Sequence, residues 1–271
     1  MGVLERAAQR QASGEAFALA TVVRTISVTA AKAGAKALIS SDGVIEEGWI
    51  GGGCARAAVL KAARQSMRDG RSRLVSIAPK ELLADLGVSP GEDREGVFYM
   101  KNSCPSQGTM DIFVEPVLPR PRLLILGASP VAVELAKLAP QLGFAVVVAA
   151  PAAELDRFEE SCERVEGLTP PAPSGRQAFV VVCTQGAGDR AALKSAAAMD
   201  AHYRAFVGSR RKAETLRREL AEEGVSAEGL AAIKAPAGLD ILAITSEEIA
   251  VSILAEMIAS RRRIQGAETG D

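Results

Sequence analysis

The sequence predicts an α/β protein: a doubly wound parallel sheet from residue 122 onward, preceded by a smaller α+β domain. Three observations carry this. Continuous apolar runs, LLILG (123–127), FAVVVAA (144–150) and FVVVCT (179–184), alternate with helical patterns, as strands buried on both faces do. Three prolines in six residues, Pro116, Pro119 and Pro121, interrupt the chain just before the first of these runs, because proline fixes φ and removes a donor. Upstream, the β-branched stretch LATVVRTISV (19–28) reads as a strand, and Asp42-Gly43 between two apolar runs reads as a two-residue hairpin. The expected division is 1–115, a proline-rich linker at 116–121, and 122–271.

Taken in order, residues 3–12 read as a short helix. After the hairpin, a glycine run ends in Cys54 and a helix extends to about Arg68. Leu74 to Ile77 and Met110 to Val114 read as strands, with a polar, turn-rich stretch at 79–96. In the second half, helices are expected at 130–142, up to Met199, at 210–223 and at 226–233, with a loop at 167–176 and a fourth strand, YRAFVG, at 203–208. The last helix opens with Thr245 and Glu248 at capping-box spacing and carries the stripe Ile249, Ile253, Leu254, Met257 and Ile258.

Apolar residues make up 48% of the 271 and charged residues 24%, with a formal net charge of −1. That balance supports a proper core and argues against broad attraction to nucleic acid or membrane. No apolar stretch reaches the roughly 20 residues that cross a bilayer, and the polar N-terminus shows no signal peptide. Four widely spaced cysteines, Cys54, Cys104, Cys162 and Cys183, read as free thiols of a cytoplasmic protein. Cys162 falls in what reads as a charged helix. A single histidine, His202, argues against a Ser-His-Asp hydrolase or a multi-histidine zinc site, and no Walker A lysine motif is present.

Four constellations are candidates for chemistry. Gly127, Ala128, Ser129, Pro130 and Val131 lie between a buried strand and a helix, where a Rossmann-type fold receives the phosphates of a dinucleotide. Ser129 replaces the usual second glycine, and Ala149-Ala150-Pro151 stands where a ribose-binding acid is usual. Gly51, Gly52 and Gly53 leave backbone amides bare in front of Cys54. A cysteine at a helix N-terminus favours the thiolate, which binds soft metals and sulfur species; a plain glycine turn before a buried cysteine fits the same residues. The loop Ser103 to Thr109 offers Cys104 as a second thiol. Finally, Cys183, Thr184, Gln185 and Gly186 lie at the carboxyl end of a central strand, where open α/β sheets place ligands, although Cys183 itself reads as core.

These residues resemble the XdhC/CoxI family, accessory proteins of xanthine dehydrogenase and aerobic carbon monoxide dehydrogenase. The resemblance spans nearly the whole chain: Gly34-Ala35-Lys36, the GGGC at 51–54, the cysteine loop leading into DIFVEPVLPRPRLLILGASP, VGSRRK (207–212), APAGLDI (235–241) and SEEIAVSILAEMI (246–258). The GASP variant is most similar to the CoxF-like branch. The resemblance implies a chaperone that binds the molybdenum cofactor (molybdopterin or its cytosine dinucleotide) and delivers it to an apo-molybdenum hydroxylase. For xanthine dehydrogenase types it implies work alongside a cysteine desulfurase and other maturation factors. It implies that Cys54 and Cys104 contact molybdenum or a transferable sulfur. The Gly127–Val131 turn, the Thr184–Gly186 amides and the basic Ser209, Arg210 and Lys212 would then hold phosphate, a nucleotide portion or FAD. The family analogy also allows a homodimer. The sequence departs from the family pattern at Arg56, where many members carry glutamate, and at Thr29, where many carry proline. A flavin- or NAD(P)-dependent oxidoreductase acting in cofactor maturation is the competing expectation.

Overall fold

The structure is a computed structural model. It describes residues 2–103, 107–160, 162–171, 178–186 and 188–267, with the backbone alone at Cys54 and at 264–267. It divides into two units, residues 1–119 with 265–271, and residues 120–264.

The first unit is a seven-stranded sheet. Helix α1 (Val3–Ala12) leads into β1 (Phe17–Ile26), β2 (Lys36–Ser40), β3 (Ile45–Gly48), helix α2 (Gly53–Asp69), β4 (Arg73–Ala78), helix α3 (Lys80–Asp85), β5 (Asp93–Arg94), β6 (Val97–Lys101) and β7 (Thr109–Val117). Spatial order is β3-β2-β1-β7-β4-β6-β5, antiparallel except for the parallel pair β4 and β6. The helix α2 lies on one face. Its Ala58, Val59 and Ala62 pack against Val22, Ile112 and Val114, which is where period-2 alternation puts the inward residues of β1 and β7. Gly70 in the left-handed region ends α2 and donates its amide to Ser66, a usual helix stop. At its far end, Arg73 of β4 reaches back to Asp69 and Ser66, all three buried.

Two local expectations need correction. The hairpin loop has three residues rather than two: Ser40 donates its amide to Val44, and Gly43, at φ 77, bonds back to Ser40. That is a turn closed by a left-handed glycine. The stretch 79–96 contains α3 and β5, and the sequence reading missed β6 altogether. Strand β7 also runs through Pro116 to Val117, further than its weak alternation suggests.

The second unit contains β8 (Arg122–Leu126), helix α4 (Pro130–Leu138), β9 (Ala145–Ala150), β10 (Glu163–Glu166), β11 (Ala178–Val182), α5 (Asp189–Ala198), β12 (Tyr203–Phe206), α6 (Arg210–Glu222), α7 (Ala227–Ala231) and α8 (Ser246–Ala267). The sheet is parallel in the order β10-β9-β8-β11-β12. Alternate residues of β8 divide between the faces. Leu123 and Ile125 meet Leu135 of α4 and Ile253 and Met257 of α8. Leu124 and Leu126 meet Leu193, Leu220 and Leu230 of α5, α6 and α7. Both faces are therefore covered, which is why the strands read as unbroken apolar runs.

The edge strand β10 is too short and charged to announce itself. The expected helix 130–142 is α only to Leu138 and finishes as a 3-10 turn (Ala139–Leu142). Pro140 supplies no amide for the Ala136 carbonyl, and the Cys162 thiol approaches that oxygen at 3.9 Å instead. Cys162 is thus buried in a bend before β10, not carried on a charged helix. The capping box is present: Glu248 takes the Thr245 amide and Thr245 Oγ1 takes the Glu248 amide.

Candidate functional site

In the first unit, β1 runs out at Ile26 opposite Thr109, the first residue of β7. Helix α2 begins at this same end. Gly51 is buried there; a Cβ built on it would stand 3.3 Å from both Met110 and Ala55 and 3.9 Å from Ala30. Gly108 is pressed against Val28 and Thr29, and its carbonyl accepts the Asn102 side-chain amide at 2.6 Å. The residues flanking Cys54 and those flanking Cys104 therefore root in one cluster of loops. Residues 104–106, and so Cys104, lie outside the described residues, as does the Cys54 side chain.

The start of α2 is open. Gly52 caps it without a side-chain hydrogen bond, and no acid lies in its first turn. Arg56 stands there instead, exposed, at the end of the helix that favours negative charge. Nothing lies within 4 Å of a Cβ built on Gly53. Nearby on β7, the buried Asp111 accepts from Ser76 at 2.8 Å and from Arg24 at 2.6 Å. The sequence reading missed this cluster, whose partners come from three separated strands.

In the second unit, the parallel order reverses between β8 and β11. The turn after β8 is set by close approach. Gly127 has φ 111, and a Cβ there would lie 2.6 Å from the Cys183 carbonyl oxygen, so only glycine fits. Two of the amides that a phosphate would use are already engaged. Gly127 donates to Ala149 at 2.8 Å and Ser129 to Cys183 at 3.2 Å. The Ser129 hydroxyl caps the Ala132 amide at 3.3 Å, and Pro130 has no amide. Ala128 and Ser129 are buried, while Val131 faces the core.

The carboxyl end of β11 behaves likewise. The buried Asp189 takes the Thr184 hydroxyl, the Gly186 amide at 3.0 Å and the Lys212 ammonium. Burial pushes this carboxyl upward, but Lys212, Thr184 and Gly186 outweigh it and hold it below the ordinary carboxylate range. Gln185 is exposed in a left-handed conformation. Ser209 caps α6 by accepting the Lys212 amide at 3.3 Å, and Arg210 is exposed beside it. An internal carboxylate thus takes three of the groups assigned by sequence to a phosphate, Thr184, Gly186 and Lys212, which weakens the fit to an ordinary dinucleotide. Asp189 at a helix start after Gly188 was the signal available for it. Burial drives the Cys183 thiol far up, so Cys183 is core, as expected.

Beside this turn, a cleft of about 250 Å³ is lined by Pro130, Val133, Glu134, Arg157, Ser246 and Glu247. Arg157 Nη1 donates to the Ala128 carbonyl at 2.6 Å. The 3-10 turn after the second strand of this sheet carries Glu154 and Asp156 as well, but it is its Arg157 that reaches the turn after β8. Among the described residues no group of three or more His, Cys, Asp or Glu side chains is placed to hold a metal ion. No helix among them is long and apolar enough to cross a membrane.

Strand order and the glycine turn define the class of the second unit, a Rossmann-type domain, here joined to an α+β unit with a glycine–cysteine turn. Residues 123–257 match the XdhC Rossmann domain and residues 10–78 match the XdhC and CoxI family; the chain belongs to this family. It is 29% identical over 282 residues to the uncharacterized protein YqeB of Escherichia coli K12, covering 98% of this chain and 47% of that one. It is 30% identical over 164 residues to a probable xanthine dehydrogenase component of Bacillus subtilis 168, covering 58% of this chain and 48% of that one. The chain thus spans about half the length of the curated relatives it matches. A crystal structure described as a xanthine dehydrogenase from Bacillus halodurans shares the fold, with a TM-score of 0.62 at 20% identity over 98% of this chain and 68% of that one.

Proposed function

We propose that this chain is an accessory protein that carries the molybdenum cofactor to an apo-molybdenum hydroxylase of the xanthine dehydrogenase or carbon monoxide dehydrogenase type. Family membership supports the accessory role. The observation that supports a carrier is the common rooting of the two cysteine loops, through Gly51 against Met110 and Gly108 against Val28.

The residues there suit such a cargo. Cys54 stands on the second residue of an uncapped helix, a sulfur ligand beside a positive helix end. Open space at Gly53 leaves room for a bulky group, and Arg56 offers a guanidinium to a phosphate. In this reading Cys54 and Cys104 hold the molybdenum end or a transferable sulfur, and the glycine amides with Arg56 hold the phosphate. The bound cargo supplies the metal chemistry; the chain shields and orients it. The Rossmann-type unit serves as scaffold and docking body in this reading, since several of its candidate donors are spent internally.

The test is the molybdenum and oxidised-pterin content of protein purified from its native host, for the natural chain and for Cys54→Ser and Cys104→Ser. Stoichiometric pterin lost in both variants is the expected result. Unchanged content in both overturns the carrier, and a stoichiometric flavin with NADH turnover establishes the oxidoreductase instead.

A further inference from the structure

We infer that Trp49 is the platform on which a flat heteroaromatic ring stacks when cargo sits at the glycine turn. The inference rests on the carrier reading above and assigns the ring of the cargo to one side chain. Trp49 is the single tryptophan of a chain only 4% aromatic, and it is 54% exposed. A single exposed apolar residue needs no explanation by itself; the surroundings of this one do the arguing.

Its backbone is fixed just past β3, where its amide donates to Lys36 at 2.9 Å. Its ring lies along the turn: a Cβ built on Gly52 would stand 3.9 Å from Cη2 of the indole. The next residue, Gly53, faces open space. A planar group entering that space has an indole at its side and bare backbone beneath it. At the end of β1 and in the loop after it, Ile26 and Val28 are 47% and 74% exposed, and that loop reaches the same turn through Ala30 against Gly51. Exposed apolar residues thus stand on or beside the loop that meets this turn, in a unit whose helix start also welcomes an anion. Such a setting suits a flat, weakly hydrated ring carrying a phosphate tail, because aromatic stacking tolerates any π face.

Two rings fit this description, a pterin and a flavin, and the probes separate them. Emission excited beyond the absorption of the two tyrosines reports Trp49 alone, so it is titrated with neopterin and, separately, with FMN. Binding is measured independently by equilibrium dialysis for the natural chain, Trp49→Phe and Trp49→Ala. The expected result is saturable quenching by neopterin, with affinity reduced about tenfold in Trp49→Ala and largely kept in Trp49→Phe. Saturable quenching by FMN with the same dependence keeps the platform but reassigns the ring to a flavin, against the carrier. Equal affinity in all three proteins, or binding without a change in emission, overturns the platform and leaves the carrier standing. Failure of the natural chain to take up either probe also overturns the platform; the carrier is then judged by molybdenum and pterin content in the native host.

Discussion

The Lys212 ammonium is paired with the buried carboxylate of Asp189, across the gap between α6 and the start of α5. That pairing changes what the basic VGSRRK segment is for. Removing Lys212 takes a partner from a buried charge.

Lys212→Ala and Asp189→Ala should therefore both lower stability. Lys212 is 40% exposed, so solvent screening reduces its share, to about 1 kcal/mol. Asp189→Ala also strands the Thr184 hydroxyl and the Gly186 amide, at about 2 kcal/mol. Urea midpoints measure both, and the double variant should fall well short of the sum.

Acid should unfold the protein through two carboxylates. Burial raises the Asp69 carboxyl, but the Arg73 hydrogen bond and the Arg71 amide outweigh it and leave it lowered, as for Asp189. A group lowered in the folded state adds stability above its ordinary value, which is lost as pH falls through the folded one. The urea midpoint should thus hold between neutrality and about pH 5 and decline below about pH 4. Asp69→Asn should lower the neutral midpoint and flatten the decline.

Two glycines should respond differently to alanine. At Gly127 a methyl meets the Cys183 carbonyl at 2.6 Å, so Gly127→Ala should cost at least about 2 kcal/mol and reduce soluble yield. At Gly53, with φ 44 and open space around it, alanine should cost about 1 kcal/mol and leave the fold intact. Melting temperatures compare the pair.

Arg56→Glu should separate folding from loading. An acid in the first turn of α2 should stabilise the helix by about 0.5 kcal/mol while repelling an anionic cargo. A higher melting temperature with a lower pterin content is expected; the same pterin content would dissociate Arg56 from the phosphate.

Thiol accessibility gives a further contrast. Cys183 is sealed in the core with its thiol pushed far from ionisation. Alkylation followed by mass spectrometry should leave Cys183 unmodified until the protein unfolds, whereas the carrier reading expects Cys54 and Cys104 to react in the native state.

Much of the second unit was legible because each buried strand announces itself by composition. LLILG and FAVVVAA can hardly be anything else, and the Thr245–Glu248 cap is written in two residues. What escaped was set by partners distant in sequence. Strand β6 has no clear alternation and exists because β4 lies beside it. The turn after β8 does look like a phosphate loop, and its glycine is where such a loop needs one. Nothing local reveals that the carbonyl of Cys183, distant in sequence, occupies the Ser129 amide of this turn. The cysteine loops were found from composition, while the placement of their described flanks, Gly51 and Gly108, at one end of the sheet needed the register of β1 against β7.

That register also governs how the protein is born. Phe17 pairs with Val117 and Ile26 with Thr109, so the centre of the first sheet closes only after about a hundred intervening residues have left the ribosome. Until then β1 has a neighbour on one side, β2, and its other edge is bare, open to strands of other chains. In the second unit the corresponding wait is shorter, from β8 at Arg122 to its partner β11 at Ala178. Slow synthesis or crowding of nascent chains therefore endangers the first unit first, and aggregates formed during expression should be joined through β1.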